Sequence, residues 1–245
     1  MIPSTAATKR NYYMAKVDPT EANLLSMVEK REVQDAVMLY ERMRGENMEV
    51  SQETQMELFK LVTYYNGKNV PFSEWEEWHG MRTFGENEPS TWTQGGIADL
   101  LYEVLPHTPE TTSIMIAGLA KFATDESVSR AKELYKELSS KSTPHAQAYD
   151  ALMTVSNWKD AQTLMKEMAA KKVKPSLSTW NCLLTAAGKS NVTERLTAFE
   201  KILGEMSAVG VTPSLSTYHV LLSSIIQNLP SYEDKGSEKK RDAAL

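Results

Sequence analysis

An apolar spacing of i, i+3, i+4, i+7 recurs along this chain of 245 residues. This spacing places its residues on one face of an α-helix. Five segments share the frame, and they open at Ala36, Ala98, Ala131, Ala161 and Phe199. A small residue opens four of the five, and a small side chain lets a neighbouring helix approach closely. Each frame therefore predicts the same helix of a repeated unit.

A shorter frame, i, i+3, i+4, lies upstream of each longer frame. Its first residues are Glu21, Gln55, Ser113, Tyr149, Trp180 and Tyr218. The steps between them are 34, 58, 36, 31 and 38 residues, so four of the five lie near 35. A fixed period of this length is typical of stacked helical hairpins, and the step of 58 indicates an insertion.

The connectors repeat as well. The stretch from Val173 reads VKPSLSTWN, and the stretch from Val211 reads VTPSLSTYH. Proline stops the preceding helix because it lacks the N–H and restricts the residue before it. A hydroxyl then caps the next helix, and the expected caps are Ser178 or Thr179 and Ser216 or Thr217.

These patterns predict an all-α, right-handed superhelical solenoid of about five to six antiparallel helical hairpins. The expected segments are an arm (1–16), first repeats (17–65), an acidic aromatic insertion (66–92), further repeats (93–227) and a polar tail (228–245). The predicted core includes Ala131, Leu134, Tyr135, Leu138, Leu164, Met168, Leu183 and Leu184. The last helix is expected to expose an apolar face, as part of a longer protein would.

The insertion is rich in tryptophan and glutamate. Its aromatic side chains either pack on the solenoid or, as exposed clusters do, form a protein docking surface. Trp75 and Trp78 are the candidate docking residues.

Net charge is −5, which is mild evidence against general nucleic-acid binding. Lys159 to Lys201, however, contains eight bases against four acids. Its candidate RNA-binding lysines are Lys171, Lys172, Lys174 and Lys189. They either compensate helix C-terminal dipoles or contact phosphates without regard to sequence.

The sequence contains no recognisable catalytic constellation. Gly188, Lys189 and Ser190 resemble the end of a phosphate loop, but Leu183 stands where the motif needs its first glycine. The four histidines lack metal-ligand spacing, and the single cysteine, Cys182, excludes an internal disulfide. No run of 18 apolar residues predicts a membrane span. We therefore expect no enzyme activity, no cofactor, no metal and no membrane association.

The Val-x-Pro connectors, the opening T-[YW] followed by leucines, and the second-helix pattern A-x-x-L-[YM] together resemble a pentatricopeptide repeat. The resemblance is strongest from Ala131 to Leu222. In sequence-reading members, the residue after the first-helix aromatic and the residue after the linker proline contact one base. The matching pairs are Asn181 with Ser214, Asp150 with Ser176, and Ile114 with His145. Only Asn181 with Ser214 is suited to a base edge, so a defined RNA code is not expected.

The order of features, from Pro19–Met43 through the insertion to the two connectors, resembles a pentatricopeptide member of the mitochondrial small ribosomal subunit. The resemblance implies a mitochondrial matrix location and a non-catalytic scaffold that supports translation near the mRNA path. The implied partners are rRNA, mRNA and ribosomal proteins, without obligate homo-oligomerisation. A protein-only adaptor that binds a peptide in its groove is the alternative.

Overall fold

Eleven α-helices and no β-strand make up residues 17–67 and 91–226, which are the residues described in this computed structural model. Trp75, Trp78, the arm and the tail lie outside these ranges. None of the helices in the described ranges is long and apolar enough to cross a membrane. The helices are α1 Glu21–Glu29, α2 Val33–Gly45, α3 Gln52–Tyr65, α4 Ile97–Val104, α5 Pro109–Lys121, α6 Asp125–Lys141, α7 Ala146–Val155, α8 Trp158–Ala170, α9 Leu177–Gly188, α10 Val192–Ala208 and α11 Leu215–Ile226.

The predicted helical repeat is confirmed. Every shorter frame begins in an odd-numbered helix, and every longer frame begins in an even-numbered one. Helix α9 packs against its own partner α10 and also against α7 and α11, the first helices of the adjacent hairpins. Helix α3 likewise contacts α1, α4 and α5. This neighbour-to-neighbour packing is how stacked hairpins build a continuous core.

The chain divides into two compact units, 1–127 and 128–245, and the division falls inside α6. The first unit buries Leu24, Leu39 and Phe59, with the Phe59 ring stacked 6.1 Å from that of Tyr102. In the second unit the buried Tyr149 ring meets the Tyr135 ring edge-on at 5.5 Å.

Six of the eight predicted core residues are buried. Leu134 and Leu164 are only half-buried, so the prediction is wrong for these two. Both occupy the i+3 position of their frames. The i+3 position is not exposed in general, because Leu39, Leu101 and Ile202 occupy it in the other three frames and are all buried. In α8 the fully buried residues of the frame are Ala161 and Met168, at i and i+7, which nearly align in a helix of 3.6 residues per turn.

The predicted cap positions need correction. Helix α9 begins at Leu177, and its N-cap is Ser176 rather than Ser178 or Thr179. The Ser176 hydroxyl accepts from the Thr179 N–H, and the Thr179 hydroxyl accepts from the Ser176 N–H at 3.0 Å. Before α11, Ser214 takes the place of the predicted Ser216 or Thr217 and makes the same reciprocal pair with Thr217. Such a box satisfies two backbone donors that the helix itself leaves unpaired.

The insertion starts and returns at one point, between α3 and α4. Asn66 ends α3 in the left-handed region, with φ at 55°. Its side-chain amide donates to the Thr91 carbonyl and accepts from the Thr93 N–H at 3.1 Å. Trp92 is buried beside Phe122, with ring centroids 6.5 Å apart. Asn66 thus holds the two ends of the insertion side by side.

The last helix is partly exposed, as predicted. Leu222 and Ile226 of α11 are exposed, whereas Leu221 and Ile225 are half-buried.

Candidate nucleic-acid interface

Charge is distributed unequally between the two units. The first contains 11 Lys and Arg against 20 Asp and Glu, a net charge of −9. The second contains 16 against 12, a net charge of +4. The overall value of −5 therefore conceals a basic unit, in which phosphate contact is electrostatically favourable.

Asn181 and Ser214 are brought together by the packing of α9 against α11. The Asn181 side-chain amide donates to the Ser216 hydroxyl at 3.1 Å, and the Ser216 hydroxyl lies 2.7 Å from that of Ser214. The early start of α9 at Leu177 places Asn181 in the second turn, opposite the start of α11. The predicted pair is thus linked through Ser216, which the sequence reasoning missed.

The Asn181 amide N–H and the Ser214 hydroxyl already make hydrogen bonds within the protein. The Ser214 hydroxyl accepts from the Thr217 N–H as part of the cap of α11. The Asn181 side-chain carbonyl is buried and accepts no hydrogen bond from the described residues. Reading a base edge would therefore require Asn181 to leave Ser216 and turn outward.

Asp150 occupies the position in α7 that corresponds to Asn181 in α9. Burial raises the pKa of its carboxyl, and the hydroxyls of Thr179 and Ser178 partly oppose that rise. A half-buried carboxyl group at this position is poorly suited to a site that must accommodate phosphates. This geometry supports the expectation that Asp150 with Ser176 does not form a reading pair.

Two of the four candidate lysines bind backbone carbonyls of the preceding hairpin. The Lys171 ammonium donates to the carbonyls of Ser139 and Ser142, the latter at 3.0 Å, at the C-terminal end of α6. The Lys189 ammonium donates to the carbonyls of Thr154 and Ser156 at the end of α7. Helix C-termini leave such carbonyls unpaired and carry partial negative charge, so both lysines cap them.

The first unit contains the same device. Lys121, the last residue of α5, donates to the Tyr64 carbonyl at 2.8 Å near the end of α3, and its ammonium lies 3.4 Å from the Tyr64 ring centroid. Burial lowers the pKa of both Lys121 and Lys189 below the usual lysine value. A lysine at the C-terminal end of a helix, as at Lys121, Lys171 and Lys189, was the sequence signal that could have revealed this pattern.

Lys172 and Lys174 are different, because both are exposed at the end of α8 and in the following linker. Lys172 has a positive φ of 58°, which turns the chain after α8. These two lysines are available to solvent and therefore to phosphate.

Among the residues that the structure describes, potential reactive groups give no competing site. Burial raises the pKa of the Cys182 thiol, which disfavours the nucleophilic thiolate. Within the described ranges, no three His, Cys, Asp or Glu residues are grouped so that they could hold a metal ion.

Helical hairpins that stack through their first helices define a helical-repeat protein of the pentatricopeptide type, and residues 147–190 and 191–228 each match the pentatricopeptide repeat domain. Residues 2–124 match the family described as small ribosomal subunit protein mS39, PPR. The chain belongs to this mS39 family. The resemblance to a mitochondrial small-subunit pentatricopeptide protein is thereby confirmed, since mS39 is pentatricopeptide repeat domain-containing protein 3.

Curated relatives named small ribosomal subunit protein mS39 span species from insect to mammal. The chain is 28% identical to that of Drosophila melanogaster over 67% of its own length, and 27% identical to that of Mus musculus over 75%. The matches cover only 27% and 30% of these relatives. They are mitochondrial ribosomal proteins.

Two solved structures of the pentatricopeptide repeat protein PPR10 are also similar. One, in complex with an 18-nt psaJ RNA element, is 15% identical with a TM-score of 0.43 and covers 92% of this chain and 38% of that one. The other, of PPR10 from maize, is 18% identical with a TM-score of 0.39 and covers 91% and 37%.

Proposed function

We propose that this chain is a non-catalytic, RNA-associated scaffold within a protein of the mitochondrial small ribosomal subunit, located in the matrix and supporting translation near the mRNA path. Its partners there are rRNA, mRNA and ribosomal proteins. Membership of the mS39 family supports the ribosomal setting. The observation that carries the RNA association is the separation of charge, which leaves a net +4 on the unit whose repeats match the pentatricopeptide domain.

RNA is guided mainly by charge along the face of Lys172 and Lys174. Lys171 supports that face by fixing the preceding hairpin, and its remaining N–H group adds to the positive potential there. Lys189 caps α7 near the opposite end of α8 and adds its remaining N–H group to the positive potential of the unit. Asn181 and Ser214 contribute less, because their polar groups are engaged with Ser216 and Thr217. Binding is therefore weakly dependent on RNA sequence.

A filter-binding titration at several salt concentrations, with two unrelated single-stranded RNAs, tests this proposal. Changing Lys172 and Lys174 to Gln should weaken binding of both RNAs alike and flatten the salt dependence by roughly 0.7 per lost phosphate contact. Asn181→Ala should have a smaller effect. The opposite pattern, with loss of one RNA only in Asn181→Ala, would establish base reading instead.

The ribosomal setting needs a separate measurement. We expect the tagged chain, expressed in mitochondria, to co-purify with the small ribosomal subunit. A ribosome-free complex would count against the proposal.

A protein-only adaptor is the second candidate, and one feature of the first unit favours it. A groove of about 920 Å³ lies between the starts of α3 and α5 and is lined by Glu53, Glu57 and Glu110 beside Leu25 and Met56. Lys60 lies 2.9 Å from Glu57 and 3.4 Å from Glu110 and neutralises part of this charge, so the groove remains only moderately acidic. A moderately acidic groove with apolar walls suits a basic, apolar peptide better than phosphate. If the chain binds a Lys- and Leu-rich peptide and neither RNA, the adaptor function is favoured.

A further inference from the structure

A second groove, of about 660 Å³, lies between the second helices of two adjacent hairpins in the basic unit. Helix α8 contributes Trp158, Lys159 and Gln162, and α10 contributes Thr193, Thr197 and Lys201. We call it the α8–α10 groove. Helix α8 has 13 residues and so is about 20 Å long, which separates this groove from Lys172 and Lys174 at its other end.

The lining of this groove is basic. Lys159, Lys189 and Lys201 border it, whereas Glu194 is its single acid. The Lys189 ammonium donates two of its three N–H groups to the carbonyls that end α7. The third N–H group remains available to a ligand. Lys201 lies 4.0 Å from Glu205, an exposed pair of the kind that contributes little and is readily exchanged for another anion.

Both helices begin beside the groove, α8 after its cap Asn157 and α10 after its cap Asn191. Helix N-termini carry partial positive charge, and each first turn also holds one carboxylate, Asp160 in α8 and Glu194 in α10, that partly offsets it. The lysine side chains therefore supply most of the positive charge of the site.

We propose that the α8–α10 groove is a second binding site for single-stranded RNA, in which the three lysines contact phosphates and the Trp158 ring stacks on a base. The inference rests on the proposed RNA association and assigns it a surface separate from Asn181 and Ser214. Gln162 and Thr193 present an amide and a hydroxyl group suited to phosphate oxygens. The Thr197 hydroxyl donates to the Thr193 carbonyl at 3.1 Å and can still accept from a ribose hydroxyl.

RNA fits this set of groups better than an acidic peptide does. Carboxylates would use the lysines and leave the half-buried Trp158 ring without a planar partner. Backbone phosphates together with stacked bases use both kinds of group, which is how proteins hold single strands without strong sequence preference.

The test measures affinity by fluorescence anisotropy, with labelled oligouridine and an unrelated mixed RNA, at several salt concentrations. Lys159→Gln with Lys201→Gln should weaken binding and reduce the salt slope by roughly 1.4, since each contact contributes about 0.7. The matched control is Lys132→Gln with Lys136→Gln, two exposed lysines of α6 in the same unit. It carries the same charge change and should leave the slope unaltered.

Trp158 supplies an independent readout. Trp158→Leu should weaken binding about five-fold or more, and Trp158→Phe should retain most of the affinity because it keeps a stacking ring. Thermal unfolding followed by circular dichroism identifies any variant that has lost its fold. If Trp158→Leu does not fold, the RNA affinity of Trp158→Phe is compared with that of wild type instead.

The outcomes separate this site from the proposed function. If the Lys172 and Lys174 variant loses affinity while both groove variants bind like wild type, the groove inference is overturned and RNA association stands. If wild type binds neither RNA, both fail. If polyglutamate displaces RNA and binds equally well to wild type and Trp158→Leu, the groove is a docking site for an acidic protein, which also overturns the inference.

Discussion

Replacing Gly118 with alanine measures how closely α3 and α5 approach. A Cβ atom at this position would lie 2.3 Å from the Thr63 methyl carbon and 2.9 Å from the Trp92 ring. It would also lie 3.3 Å from the Thr63 carbonyl oxygen, which belongs to the backbone of α3. Thr63 is 2% exposed and Trp92 is 8% exposed, so neither side chain has room to swing into solvent.

Two effects of opposite sign decide the result. Alanine in a helix interior is favoured over glycine by about 1 kcal/mol. Forcing a methyl group into a closely packed contact costs about 1–3 kcal/mol. Because two buried neighbours must move, we expect the packing cost to prevail and the free energy of unfolding to fall by about 1 kcal/mol.

Gly204 offers a matched control, since it lies within α10 and a methyl group added there would meet no neighbouring element within 4 Å. Gly204→Ala should therefore raise the free energy of unfolding by up to about 1 kcal/mol. Urea unfolding followed by far-UV circular dichroism measures both changes. Equal stabilisation by the two substitutions would refute the close approach of α5 to α3.

Three further predictions concern the core, a cap and a carboxylate. Leu183→Ala should cost about 2–5 kcal/mol in urea unfolding, because this side chain is 3% exposed and leaves a cavity. Lys189→Met should cost about 1 kcal/mol through the lost cap of α7, whereas Lys172→Met should stay within error of wild type. The hydroxyl of Ser51, the cap of α3, and then that of Thr54 lower the pKa of Glu21. The contribution of Glu21 to folding stability is therefore present above the usual carboxyl pKa and is lost as pH falls through the folded value. Wild type should therefore lose more thermal stability between about pH 5 and about pH 3 than Glu21→Gln does.

The helices were predictable because their signal is local. Apolar residues three, four and seven apart mark a buried face, and the residues that open the frames at Ala36, Ala131 and Ala161 are all fully buried. The observed cap, Ser176, could also have been predicted from the sequence, because Ser176 and Thr179 have the spacing of a capping box. Ser178 stands closer to Trp180 in the sequence, and that proximity alone favours it.

The roles of the lysines depend on contacts that no local pattern contains. Lys171 binds carbonyls 29 and 32 residues earlier, and Lys189 binds carbonyls 33 and 35 residues earlier. From the sequence, Lys171, Lys172 and Lys174 form one cluster. The fold turns the first inward and leaves the other two exposed, because only Lys171 lies beside the end of α6.

The close approach of Gly188 likewise explains a motif that resembled a phosphate loop. A Cβ there would lie 2.4 Å from the Ser224 hydroxyl oxygen, so the glycine admits α11 and the adjacent Lys189 caps α7. The two residues serve hairpin packing.

The lysine caps share one direction along the chain. Lys121, Lys171 and Lys189 each reach back to a helix that lies earlier in the sequence, by 57, 29 and 33 residues. Because a protein is synthesised from its N-terminus, the carbonyls that end a helix are made before the lysine that binds them. Each of these caps is therefore completed only when the hairpin that follows in sequence has been made.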